Sequence, residues 1–190
     1  MEIAKGVYKI SRISNVYIIL GDVPTVVDCG DFNDREFVKR EIEKIIPLDD
    51  VKRVLLTHLH YDHCGAVSLF KKAKIYASAE EVDDFKKDPR VFLPDYFGPG
   101  DIEFLQATLE AFPKTLGDLE VIKVPGHTRG SVALLDKKRK LLFSGDTLFD
   151  NGIGRTDLPN SVPQKMEESL RKLHDLIKTK NLELCPGHDY

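Results

Sequence analysis

The sequence is poor in cysteine, has no large excess of either charge and contains no long apolar run. Three cysteines, Cys29, Cys64 and Cys185, occur in 190 residues. They stand far apart, which excludes a disulfide framework and fits a reducing cytosol. Lys and Arg number 28 against 31 Asp and Glu, a net charge of −3. Without a basic stripe, a scaffold that holds nucleic acid by backbone electrostatics is not expected. No apolar stretch approaches the roughly 20 residues a membrane span requires. The opening Met1-Glu2-Ile3-Ala4-Lys5-Gly6 lacks the apolar core of a signal peptide. Repeats and low-complexity tracts are absent as well. These absences point to a cytoplasmic protein that acts on a small molecule, with no nucleic acid and no membrane among its partners. With 42% hydrophobic residues, a chain of this length is expected to form a single domain over 1–190.

Local patterns predict mixed α/β structure. Short β-branched runs at 7–10, 15–20 and 25–28 read as strands, the last two forming a hairpin across Gly21-Asp22 and Pro24. Asn33 followed by Glu36 has the capping-box pattern and predicts a helix over 34–46. Apolar residues 51–57 predict a buried strand that ends in a polar cluster, with a helix over 66–71 beyond it. A strand at 74–77 and a charged helix from about 78 to 86 follow. Residues 88–114 hold four prolines with Phe92, Tyr96, Phe97, Phe104 and Phe112 interleaved. Only 102–111 there reads as helical. Strands are predicted again at 120–124, 131–136 and 140–143. The stripe Met166, Leu170, Leu173, Ile177 predicts an amphipathic helix over 163–178, and 182–185 a last strand.

Five of the six histidines follow a predicted strand or sit in a glycine turn. His58, His60, Asp62 and His63 lie within six residues after the strand at 51–57. His127 follows Val124-Pro125-Gly126, Asp146 follows Ser144-Gly145, and His188 follows Cys185-Pro186-Gly187. Side chains of such strand ends can converge on one sheet edge. Neutral imidazoles and carboxylates suit zinc, iron and related metals. Residues 58 and 60 share one side of an extended chain and can hold one ion. Asp62 and His63, past the bend, can face a second. Seven N/O donors exceed the four of a structural zinc site, but suffice for two ions with positions left open for water. A carboxylate such as Asp146 can bridge the pair. His174, on the amphipathic helix, is expected to be an ordinary surface residue. The cysteines lack zinc spacing, and Cys64 is expected to be a buried apolar side chain.

Four stretches carry a family resemblance: Thr57-His58-Leu59-His60-Tyr61-Asp62-His63-Cys64-Gly65, Pro125-Gly126-His127-Thr128-Arg129-Gly130-Ser131, Phe143-Ser144-Gly145-Asp146-Thr147-Leu148-Phe149 and Pro186-Gly187-His188-Asp189-Tyr190. Together they resemble the metallo-β-lactamase-fold hydrolases. The resemblance implies a four-layer αββα sandwich with the metals at one edge of the two sheets. It implies that His58, His60 and His127 hold one metal, Asp62, His63 and His188 the other, and that Asp146 bridges them. The two ions would be divalent, with zinc favoured over iron or manganese.

Within that group the chain looks most like the glyoxalase II-type thioester hydrolases. Gly145-Asp146-Thr147-Leu148-Phe149 followed by Gly152-Ile153-Gly154-Arg155 is similar to their loop after the bridging aspartate. That family carries a helical C-terminal domain with glutathione contacts. Here the sequence ends two residues after His188, so no counterpart of that domain is expected. The expected reaction is hydrolysis of a small acyl thioester or ester, with metal-bound hydroxide attacking the carbonyl. Asp62 and Asp146 are the catalytic candidates through the metals they hold, because a ligating Asp62 is not free to serve as a base. Arg155 is expected either to line the substrate cleft or to pair with Asp157. Tyr96 and Phe97, in an insertion or lid over 88–114, are expected to cover the cleft, the alternative for these aromatics being a satellite core or a contact in a homo-oligomer.

Gly154-Arg155-Thr156-Asp157 and His188-Asp189-Tyr190 also look like the persulfide dioxygenases of the same superfamily. Those would use one iron on residues matching His58, His127 and Asp146.

Overall fold

The computed structural model describes residues 1–189; Tyr190, the last residue of the C-terminal motif, lies outside them. The chain opens with an antiparallel meander of β1 (Glu2–Ala4), β2 (Val7–Ser11), β3 (Asn15–Ile19) and β4 (Thr25–Val27). Then α1 (Arg35–Glu43), β5 (Arg53–Leu55), α2 (Tyr61–Cys64), β6 (Lys74–Ala77), α3 (Ala79–Lys87), α4 (Pro99–Thr108) and β7 (Leu109–Ala111) follow. Strands β4 to β7 run parallel and complete a seven-stranded sheet. The second sheet holds β8 (Leu119–Lys123), β9 (Val132–Asp136), β10 (Leu141–Gly145) and, after α5 (Pro163–Lys180), β11 (Glu183–Pro186). Its spatial order is β11-β10-β9-β8, with β11 parallel to β10 and the other pairs antiparallel.

Alternation of side chains along each strand sorts the apolar residues into three cores. Tyr17, Ile19, Val27 and Leu55 of the first sheet meet Val132, Leu134, Leu141 and Phe143 of the second. Their neighbours Val16, Ile18, Val26 and Val54 face the opposite way, onto Val38 and Ile42 of α1, Phe85 of α3 and Leu105 of α4. Ala133, Leu135 and Leu142 pack on Leu173 of α5. Helices therefore cover both outer faces, and the architecture is a four-layer αββα sandwich. Among the described residues, no helix is long and apolar enough to cross a membrane.

Several local expectations need correction. The turn before α1 is a 3-10 turn at Phe32–Asp34, capped by the Asp31 side chain accepting from Asn33 N at 2.7 Å, and Asn33 is not the cap. Helix 66–71 is absent: the helical turn comes earlier, as α2, and only a 3-10 turn at Val67–Leu69 follows. The stretch 102–111 is divided between the end of α4 and β7. Leu109–Ala111 pairs with Ile75–Ala77, a long-range contact that overrides local helix preference.

Topology places the strand ends that matter together. The C-terminal ends of β4 and β5, which are parallel, share one rim of the first sheet. β8, β10 and β11 all run in one direction, so their C-terminal ends share a rim of the second. The residues that follow these five strands include every histidine and aspartate of the predicted cluster.

Candidate metal centre

The two rims are joined around Thr57. Asp28, just past β4, adopts a left-handed backbone with φ of 51°. Its carboxylate accepts from Thr57 N at 2.8 Å and from Thr57 Oγ1 at 2.9 Å. On the other sheet Gly145 ends β10 with φ of 52°, and a Cβ there would lie 2.6 Å from Thr57 Oγ1. This close approach, which needs glycine, sets Asp146 beside the loop 58–63.

All seven predicted side chains come together, each buried or nearly so. Three sets have donor atoms mutually within 4.8 Å: His58, His60 and His127; His58, His63 and Asp146; and Asp62, His63 and His188. His60 Nδ1 lies 2.8 Å from His127 Nε2, and His63 Nε2 lies 3.3 Å from His188 Nε2. Asp146 spans the sets, with Oδ1 3.1 Å from His63 Nε2 and Oδ2 3.3 Å from His188 Nε2 and 3.6 Å from His127 Nε2. His188 Nε2 is also 3.3 Å from Asp62 Oδ2. His174 is exposed on α5 and takes no part.

The outward ring nitrogens meet acceptors, and this fixes the tautomers. His63 Nδ1 donates to Asp28 Oδ2 at 2.9 Å, His127 Nδ1 to the Arg155 carbonyl at 2.8 Å, and His188 Nδ1 to the Ile13 carbonyl at 2.7 Å. Thr57 Oγ1 gives its proton to Asp28, so it accepts from His58 Nδ1 at 3.0 Å. His60 is reversed: Nε2 donates to Asn160 Oδ1 at 3.2 Å and Nδ1 faces inward. The inward nitrogens of the neutral rings are therefore all lone pairs. His58 Nε2 is buried with no hydrogen-bond partner. Lone pairs facing each other at such distances repel unless a cation lies among them, so this donor set fits metal ions.

Without a metal, the electrostatics split the cluster. Burial pushes the His58 pKa well below the ordinary imidazole value, and neighbouring histidines add to this. Burial and His127 lower His60 to about 4, and burial also lowers His127. His63 and His188 move the other way. Burial opposes their charge, but Asp146, Asp28 and Asp62 hold His63 well above its usual value. Asp146 and Asp62 raise His188 to about 9. The carboxyls of Asp62 and Asp146 are lowered despite burial, chiefly by His63 and His188.

His60, Asp62, His127, Asp146 and His188 floor a cavity of about 640 Å³, with His58 and His63 buried beneath them. Arg90, Val91, Phe92, Leu93 and Pro94 form one wall, and Phe149, Asn151, Gly152, Ile153, Gly154, Arg155, Leu158 and Pro159 another. Arg155 thus lines the cleft and also pairs with Asp157, at 2.9 and 3.1 Å. Tyr96 and Phe97 do not line it. Phe97 is 1% exposed and packs on Phe32 with ring centroids 4.8 Å apart, and Tyr96 leans on Phe32 and Tyr61. Residues 90–94 border the cleft, with Phe92 also packed into the helix-side core, whereas Phe97 lies beyond them, buried in that core against Phe32.

Sequence reasoning missed Asp28, Thr57 and Asn160, which orient the imidazoles from behind. Asp28 carries one signal, a carboxylate directly after the apolar Val26-Val27. Asn160 carries none, lying 100 residues from its partner His60.

The model of the metallo-beta-lactamase superfamily matches residues 11–188. A probable metallo-hydrolase of Methanocaldococcus jannaschii is 30% identical over 184 residues, covering 92% of this chain and 87% of that one. The hydroxyacylglutathione hydrolase GloC of Haemophilus influenzae is 34% identical over 150 residues, 70% of this chain and 67% of its own. Among solved structures, a di-iron-bound form of TTHA1623 superposes with a TM-score of 0.72 at 26% identity, covering 97% of this chain and 92% of that one. The family model spans the four donor-bearing loops and every strand from β3 to β11, and on that extent the chain belongs to the metallo-beta-lactamase superfamily.

Proposed function

We propose that the protein is a binuclear metal-dependent hydrolase of a thioester or ester. One observation carries this reading: outer acceptors lock five imidazoles so that their inward nitrogens, together with Asp62 and Asp146, converge at the base of one open cavity. His58, His60 and His127 would hold one ion, Asp62, His63 and His188 the other, with Asp146 between them. Two divalent ions bound there supply Lewis acidity, lowering the pKa of a water and polarising a carbonyl oxygen.

The chain's own residues do the rest. Val91, Phe92, Leu93, Pro94, Phe149, Ile153 and Leu158 give the cavity apolar walls that suit an acyl group. Arg155 stands at its exposed rim, where it can meet an anionic part of the substrate. Asp62 and Asp146, already low in pKa, remain carboxylates throughout and are not proton donors. A thiolate leaving group fits a site without a free acid, since it departs without protonation. The relative named as a hydroxyacylglutathione hydrolase and the di-iron neighbour support both the chemistry and the metal count. Zinc, iron and manganese all suit this N/O donor set.

The test is a panel of hydroxyacylglutathione, short acyl thioesters and esters, assayed on metal-free and metal-loaded protein. Hydrolysis that appears on loading and is lost in Asp146→Ala is the expected result. One bound iron per chain, with persulfide-dependent oxygen uptake and no hydrolysis, would instead assign a dioxygenase.

A further inference from the structure

Glu81, in the first turn of α3, is fully buried. Its Oε2 accepts from Leu59 N at 2.9 Å. Its Oε1 accepts from Thr128 Oγ1 at 2.7 Å and from Gly130 N at 3.1 Å. Leu59 stands between His58 and His60, and Thr128 follows His127. One carboxylate therefore ties together two loops that leave different sheets and carry four of the imidazoles, and the three beside its contacts are His58 and His60, which flank Leu59, and His127, which precedes Thr128. The helix end that presents it is itself fixed. Ser78 Oγ accepts from Glu81 N at 3.1 Å, and Arg129 clasps Asp84 at 2.7 and 2.8 Å from outside. The fit is tight: a Cβ on Gly130 would lie 2.4 Å from Ser78 Oγ and 2.6 Å from Glu81 Cγ.

Burying a carboxyl without a counter-ion is costly. Packing alone would be served better by an apolar residue. What the position does require is an acceptor on both oxygens, because an N–H or O–H faces each. A glutamine offers only one.

We propose that Glu81 is a positioning residue for the triplet His58, His60 and His127. By accepting from both loops at once it fixes the separation of these imidazoles, and so sets the affinity and coordination geometry of the ion they hold. The inference rests on the metal reading above and extends it to a residue that touches neither ion nor substrate.

Glu81→Gln keeps the shape and turns one donor toward an amide NH2. Metal-free wild type and variant are titrated with Co2+, with binding followed by the d–d absorption of the ion. Wild type is expected to take up two ions. In Glu81→Gln one affinity should fall roughly tenfold to a hundredfold, with a shift of the bands of that ion, and the other should hold. Anomalous diffraction at the cobalt edge should place the weakened ion at His58, His60 and His127. Thr128→Val, which deletes one of the three donors, should give a smaller loss at the same ion, and Thr128→Ser should restore the wild-type value. Wild-type affinity and spectrum in Glu81→Gln overturn the proposal, and so does an equal loss at both ions. If Glu81→Gln does not fold, the threonine pair decides: wild-type Co2+ affinity in Thr128→Val overturns it. A wild-type protein that binds no Co2+ defeats the metal reading itself, whereas two ions bound alike in wild type and Glu81→Gln defeat only the role of Glu81.

Discussion

His63 lies buried beneath the cavity floor with its Nδ1 already given to Asp28 at 2.9 Å. That bond selects the tautomer, aims Nε2 inward and leaves a buried charge beside the ring. Asp28→Asn removes the charge and one acceptor. The ion that uses His63 should then bind roughly tenfold to a hundredfold more weakly, as a chelator competition would read. Unchanged affinity would show that His63 is aimed without Asp28. The split in protonation has its own consequence. In the metal-free protein His188, raised to about 9 by Asp146 and Asp62 against burial, carries a proton at neutral pH. An ion must displace that proton. The affinity of the Asp62, His63 and His188 set should therefore climb as pH rises toward about 9. His58, His60 and His127 are already neutral, so their ion should show a flat profile over the same range. Chelator competition at a series of pH values would separate the two, and equal slopes would contradict the assignment. The sign for folding is the reverse: the charged His188 stabilises the metal-free fold below its ordinary pKa, and this is lost as pH rises through about 9. The His and Asp residues of the floor were legible from sequence because they cluster at strand ends with glycine turns. The residues behind them were not: Asp28, Asn160 and Glu81 act through hydrogen bonds to residues distant in sequence, which leave no spacing pattern.

Among the elements, the loop after β10 shows how backbone contacts hold the cavity wall. A Cβ on Gly154 would lie 1.8 Å from the Asp146 carbonyl oxygen and 3.0 Å from His127 Nδ1, whereas one on Gly152 would meet nothing within 4 Å. Gly154→Ala must push the loop off Asp146, at a cost of about 1–3 kcal/mol, and should lower both the thermal midpoint and hydrolysis. Gly152→Ala should leave both unchanged. Equal effects of the two would mean that the wall tolerates movement. Element identity was readable where periodicity was strong. The stripe Met166, Leu170, Leu173, Ile177 foretold α5, which buries Met166 and Leu173 and runs two residues further than expected, to Lys180. The three-residue strands β1 and β7 gave no such signal. Leu109–Ala111 is a strand only because β6 lies beside it, and Pro99, which reads as a breaker, opens α4 at its first position instead. The aromatics of 88–114 illustrate a further limit. Composition singled these aromatics out but did not show that Phe97 would be buried in the core, that Tyr96 would stay 48% exposed, or that residues 90–94 would line the cleft.

For the molecule as a whole, the candidate site belongs to neither sheet alone. Asp28 and the loop 58–63 come from the first sheet, and His127, Asp146 and His188 from the second, so the donors meet only when the sandwich closes. Ions that bind the closed state alone stabilise it by mass action. Metal removal should therefore lower the thermal midpoint, and restoring metal should return it. The measurement that bears most directly on the account is the metal content of the whole chain, by elemental analysis after reconstitution with a divalent ion and removal of excess. The arrangement of seven donors predicts close to two ions per chain in the wild type, and fewer in Asp146→Ala. Protein that retains no metal after reconstitution would contradict it.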